Sequence, residues 1–183
     1  MKRDVLIASL IAILSIIALW WSSSYLSSVI IFIPGVIISF LIYLKTYSHS
    51  DPIPGTLLPI YLLALAIQFI HFTEEYLTDF IIELPKLMGS DPYSLDFWIV
   101  FNMIAYSIFV LGGIIIFKKK RELMIIPIFF ILVGVVFNGI AHIGLAIYKG
   151  GYFPGLYSAL VYVMISPVII NRLFKIADPA TVA

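Results

Sequence analysis

The sequence predicts an all-α, polytopic membrane helix bundle with six transmembrane helices and both termini in the cytoplasm. Three observations carry that reading. The chain of 183 residues is 62% hydrophobic and 11% charged. Its mean hydropathy of +1.12 is far above what a soluble domain exposes to water. Its apolar residues also fall into runs of about 20, the length a helix needs to cross about 30 Å of hydrocarbon.

Cutting the chain where charge, proline or glycine interrupts those runs gives spans at residues 5–21, 25–44, 56–78, 96–117, 123–148 and 153–174. Lys2 and Arg3 precede the first, as in a secretory signal. The run is long, however, and ends in Trp20, Trp21 and serines without a small-residue cleavage pattern, so it reads as an uncleaved anchor. Pro34 and Gly35 lie inside the second span, where a kink is expected and tolerated. The connection at residues 79–95 sets Asp79, Glu83 and Asp91 among Phe80, Ile81, Ile82, Leu84, Leu87 and Met88, a mixture expected to lie along the membrane surface as a cover. Gly150 and Gly151 suit a tight turn before the sixth span, with Pro154 at its first turn. The tail, DPATVA, has nothing to pack with and reads as frayed. The division is two N-terminal helices at 1–55, a four-helix core at 56–174 and a short tail at 175–183, all within one membrane domain.

Counting basic residues by connection fixes the expected orientation. One side holds Lys2, Arg3, Lys45, Lys118, Lys119, Lys120, Arg121, Arg172 and Lys175, and the other only Lys86 and Lys149. The richer side is read as cytoplasmic, in a cell membrane. KKKRE, at 118–122, is then a topology determinant before it is an anionic-lipid patch. Trp20, Trp21, Tyr25, Trp98, Tyr148 and Tyr152 fall near the opposite interface, where an aromatic belt is expected. His49 reads as a solvated loop histidine.

Composition also excludes. With no basic face there is no nucleic-acid partner. No cysteine is present, which removes disulfides, thiolate zinc sites and a cysteine nucleophile. No strand-to-helix glycine loop is available for an organic cofactor. The expected partners are membrane lipids and a lipid-like or apolar small molecule. No inverted repeat is visible, so one site is expected.

That site begins in the third span, in IQFIHFTEEYLTDF. His71, Glu74 and Glu75 stand three and four residues apart and share one helix face, which Gln68 extends inward. The fifth span carries Asn138 and His142 four apart, with Gly134 and Ala141 small enough to admit a neighbour. The fourth offers Asn102 and Tyr106. At 1.5 Å per residue, His71 and Asn138 both lie roughly 22 Å along their spans and Glu75 and His142 roughly 28 Å. The polar groups therefore form one slab in the outer leaflet, between the third, fourth and fifth spans.

Ionisable groups within a span face the bundle interior and mark function by default. Two adjacent carboxylates repel, so either one is protonated or a cation holds both ionised. Histidine with glutamate is a ligand set suited to zinc, iron or manganese.

HFTEE, followed by Asn138, His142 and the pair Pro154-Gly155, resembles the HXXEE family of small prokaryotic membrane proteins, from near Pro59 to near Pro167. The resemblance marks His71, Glu74 and Glu75 as defining positions with Asn138 and His142 as companions. It leaves the first two spans outside, and it implies no activity.

The expected chemistry is a metal centre of His71, His142 and one glutamate, with a fourth position open to water. Helical spacing favours Glu75 as ligand, leaving Glu74 as general base. Asn102 and Asn138 would orient a ligand or the substrate, with Gln68 and Tyr106 beside them. The reaction would be hydrolysis or, with iron, oxidation. Three other readings stay open: a metal-free acid–base enzyme, a small proton or cation carrier, and a structural polar network.

Overall fold

The computed structural model describes residues 2–23 and 27–177. Tyr25 and the tail at 178–183, two positions named above, lie outside the described residues. Among the described residues the chain is helical throughout: α1 (Lys2–Ser22), α2 (Ser28–Lys45), α3 (Pro54–Leu77), α4 (Phe80–Leu87), α5 (Leu95–Phe117), α6 (Ile125–Lys149) and α7 (Leu156–Leu173). All but α4 are long and apolar enough to cross a membrane.

The connections alternate between two ends. At the first, Asp4 of α1 pairs with Arg121 (Oδ2 to Nη2, 2.8 Å). The segment after α2 meets the end of α7 there as well, through an antiparallel bridge of Pro52 with Ile176 and a bond from the Ala177 amide to the Asp51 carbonyl (3.1 Å). This end collects the nine basic residues of the richer side in the charge count. The opposite end carries α4 and the α6–α7 connection.

The core is built from aromatic residues at helix crossings. Tyr61 of α3 is fully buried, donates to the Phe109 carbonyl of α5 (2.7 Å) and meets the Phe130 ring of α6 edge-on (5.2 Å). α1 presents Leu6, Leu10, Ile13, Leu14 and Ile17 outward, half exposed, as a lipid-facing helix must.

Three expectations are refined. The irregularity placed at Pro34 and Gly35 is a change of winding: i→i+5 hydrogen bonds over Ser28–Phe32 give way to ordinary α turns at Ile33. Pro34, which has no N–H to donate, falls just where the i→i+5 segment ends, and a Cβ on Gly35 would strike Val133 of α6. Pro154 lies before α7 rather than inside it, because Gly155 is left-handed (φ 84°) and the helix starts at Leu156. Trp98 is buried rather than belted: it is 7% exposed and stacks on Phe72 of α3 at 4.5 Å. Trp21 and Tyr148 do stand out into the surroundings, and so does His49.

Candidate metal centre

The helix period carries His71 and Glu75 of α3 to one face, one turn apart, about 9 Å and about 3 Å from its end. On α6, eight residues of i→i+5 winding (Phe130–Phe137) give way to α turns at Asn138. This presents Asn138 and His142 to α3. His71, Glu75 and His142 are all buried, and one ligand atom from each lies within 4.8 Å of the other two. Glu75 Oε1 is 3.5 Å from His71 Nε2 and 3.4 Å from His142 Nε2.

The outward ring nitrogens are already committed. His142 Nδ1 is 2.6 Å from the Pro154 carbonyl, which can only accept, so Nδ1 carries a proton. His71 Nδ1 is 2.7 Å from Ser158 Oγ, and that hydroxyl donates to Glu74 Oε2 at 2.5 Å. A hydroxyl has one proton, so His71 Nδ1 must donate to it. In the neutral rings both Nε2 atoms are therefore acceptors, and both lie beside the same carboxylate oxygen. Asn138 Nδ2 donates to His71 Nε2 at 2.8 Å. The imidazole planes stand at 86° with centroids 4.6 Å apart.

Three acceptors converging in a buried place call for a cation. Bonds of about 2.0–2.1 Å at tetrahedral angles set ligand atoms roughly 3.3–3.4 Å apart. The two edges to Glu75, 3.5 and 3.4 Å, have that length, and the third, between the two Nε2 atoms, lies within 4.8 Å.

The two adjacent glutamates point to different places. Glu74 leaves the imidazole pair for the start of α7, where its oxygens accept from the amides of Tyr157 and Ser158, the Ser158 hydroxyl and the Tyr152 hydroxyl (2.9, 2.9, 2.5 and 2.9 Å). A carboxylate at a helix N-terminus satisfies orphan amides and complements the dipole. Burial pushes the Tyr152 hydroxyl above its ordinary range, which keeps it a donor. These four donors occupy the lone pairs of the carboxylate expected to act as base.

The other expected residues divide. Gln68 and Tyr106 form a separate group one turn deeper: Gln68 Nε2 donates to Tyr106 (3.2 Å), and Tyr162 of α7 donates to Gln68 Oε1 (2.7 Å). Asn102 is apart from both, its amide bonded to the Trp98 carbonyl of its own helix (2.9 Å). The helix that closes the centre is α7, not the fourth span, since small residues let α6 and α7 approach. A Cβ on Gly139 would stand 3.0 Å from that of Tyr162 and 3.2 Å from the Ala159 carbonyl. Gly155 packs so tightly that a Cβ there would lie 2.6 Å from His142 Nδ1 and 2.8 Å from His71 Cε1. Phe80 of α4 covers the centre, its ring 5.5 Å from His142 and 6.0 Å from Phe153.

Sequence reasoning missed Tyr152, the Pro154 carbonyl and Ser158. YFPGLYS, 152–158, offered only the Pro-Gly pair as a signal, since a backbone carbonyl and a lone serine have no spacing that marks them.

A family model described as a protein of unknown function with an HXXEE motif matches residues 62–170, and the chain belongs to that family. The match contains every residue of the centre and leaves out α1 and α2. Neither the curated proteins nor the solved structures give a match.

Proposed function

For this HXXEE protein we propose a metal-dependent membrane enzyme that acts on a lipid-like or apolar small molecule. The carrying observation is the convergence of the two imidazole Nε2 atoms on one carboxylate oxygen, with both Nδ1 atoms already engaged. His71, His142 and Glu75 are the ligands, and three protein ligands leave a fourth position for water, the pattern of catalytic zinc. A divalent ion there lowers the pKa of its water to about 7, which supplies a nucleophile at neutral pH. Asn138, whose amide donates to His71 Nε2, would be released to orient water or substrate were that nitrogen to serve as a ligand. Phe80 and Phe153 exclude bulk water from above, and the apolar surroundings favour a substrate that arrives through the bilayer.

The chain orientation with both termini cytoplasmic is part of the proposal, as is the outer-leaflet depth that follows from it. A proton or cation carrier finds less support, because the buried positions of α3 beyond Gln68 toward the basic end are Ile67, Leu65, Ala64, Tyr61 and Leu57, which offer no carboxylate. A metal-free mechanism with Ser158 as nucleophile needs the hydroxyl proton on His71, and Glu74 already takes it.

The test is elemental analysis of the purified chain beside His71→Ala and His142→Ala. About one transition-metal ion per wild-type chain, lost in both variants, is expected. Equal and negligible metal in all three overturns the proposal.

A further inference from the structure

The family's motif contains two glutamates, and one ligand role accounts for only one of them. Glu74 is bound by four donors that all belong to the α6–α7 connection or the first turn of α7. The same seven residues, 152–158, supply what both imidazoles bond through Nδ1: the Pro154 carbonyl for His142 and the Ser158 hydroxyl for His71. Gly155 lies against both rings. One short segment thus orients both histidines, and Glu74 ties it to the helix that carries His71 and Glu75.

We propose that Glu74 and Ser158 are positioning residues: Glu74 accepts the hydrogen bond that the Ser158 hydroxyl donates, which leaves that oxygen to accept from His71 Nδ1–H and so fixes the tautomer that turns the Nε2 lone pair toward Glu75 and His142. Without Glu74 the hydroxyl keeps only the Gly155 carbonyl at 3.2 Å as an acceptor, and the Asn138 amide at Nε2 can turn from donor to acceptor, so His71 would then divide between two tautomers, one of which presents N–H to the ion. The carboxylate removes that freedom through a single intervening oxygen. Metal-binding histidines are held in this manner by a carboxylate or carbonyl on the second nitrogen, and loss of such support weakens metal binding about 10- to 100-fold. His142 takes the commoner form, a direct bond to a carbonyl. For His71 the carboxylate acts one atom removed, because its place at the helix start is fixed by the Tyr157 and Ser158 amides. The consequence for metal binding rests on the metal reading; the tautomer does not.

The experiment uses the full chain in detergent, with Ser158→Ala, Ser158→Thr and Glu74→Gln. The first readout needs no metal: the ring ¹⁵N shifts of His71, assigned with a His71→Asn variant, above the imidazole titration range. Wild type and Ser158→Thr are expected to show the Nδ1–H form. Ser158→Ala and Glu74→Gln are expected to show a mixture. The second readout is Zn²⁺ affinity by competition with a chelating dye and the visible spectrum of bound Co²⁺. Ser158→Ala is expected to bind about 10- to 100-fold more weakly with a changed Co²⁺ spectrum, and Ser158→Thr to return close to wild type. An unchanged tautomer in Ser158→Ala overturns the proposal, as does a Ser158→Thr variant as impaired as Ser158→Ala. Wild type that holds the Nδ1–H form yet takes up neither ion overturns the metal reading and leaves the orientation of His71 standing.

Discussion

Replacing Gly155 by alanine strikes backbone and centre at once, and a second glycine separates the two effects. Gly155 has φ 84°, where a Cβ crowds the following carbonyl and costs about 1–2 kcal/mol. The added carbon would stand 2.6 and 2.7 Å from His142 Nδ1 and Cε1 and 2.8 Å from His71 Cε1. Ordinary contact begins near 3.4 Å, so the two rings must retreat by roughly 0.6–0.8 Å, which adds an overpacking cost of about 1–3 kcal/mol. Gly155→Ala is therefore expected to lose about 2–5 kcal/mol. Gly150 has nearly the same backbone (φ 75°), and a Cβ added there would meet nothing within 4 Å. Gly150→Ala should lose only the backbone part, about 1–2 kcal/mol. The metal readout should part them further, since a displacement beyond about 0.5 Å defeats a preorganised site. Zn²⁺ affinity is expected to fall about 10- to 100-fold in Gly155→Ala, as when an outer support is removed, and to be unchanged in Gly150→Ala. Denaturation in detergent and chelator competition measure the two quantities. Equal metal affinity in both variants would refute the contact argument, and equal stability loss would refute the overpacking term.

Other outcomes follow from the same geometry. Zn²⁺ at about 100 times its dissociation constant should stabilise wild type by about 2.7 kcal/mol, seen as a raised unfolding midpoint that a chelator reverses and that His142→Ala does not show. Tyr162→Phe leaves the buried Gln68 carbonyl without its 2.7 Å donor and should cost about 1–3 kcal/mol in denaturation while Zn²⁺ affinity stays at the wild-type value. A matching loss of affinity would join the two polar groups that the structure separates. The Lys149 ammonium, by its hydrogen bond and then its charge, holds the Glu83 carboxyl below its ordinary range. The folded state thus favours the ionised form, so the contribution is present above the ordinary carboxylate pKa and is lost as pH falls through the lowered value. The stability gap between wild type and Glu83→Gln, at most about 1 kcal/mol for so exposed a pair, should close in acid and in high salt. Because the chain has no cysteine, Lys119→Cys and Lys86→Cys can each be labelled alone in intact cells. A membrane-impermeant thiol reagent should reach the second and not the first, and the reverse pattern would invert the orientation.

Span number, the alternation of ends and the membership of His71, Glu75, Asn138 and His142 in one layer were legible in the sequence. Apolar run length and the helix period are local properties, and rise per residue converts position into depth without knowledge of any neighbour. That His71 and Glu75 share a face follows from about 3.6 residues per turn alone. Tertiary structure decided which helix closes the layer and what each polar group meets. Asn102 has a plausible depth but bonds within its own helix, because depth says nothing about rotation toward a partner. α7 displaces the fourth span from the centre because Gly139 and Gly155 let it approach, and close approach is a property of two surfaces together. The adjacent glutamates show the division most sharply. From the sequence the two neighbouring carboxylates share a helix face that one cation could serve, and spacing alone favours Glu75 as ligand and Glu74 as base. Only the packing of α7 against α3 gave Glu74 the two amides and two hydroxyls that hold it, because those donors lie far away in the chain and no local spacing marks them.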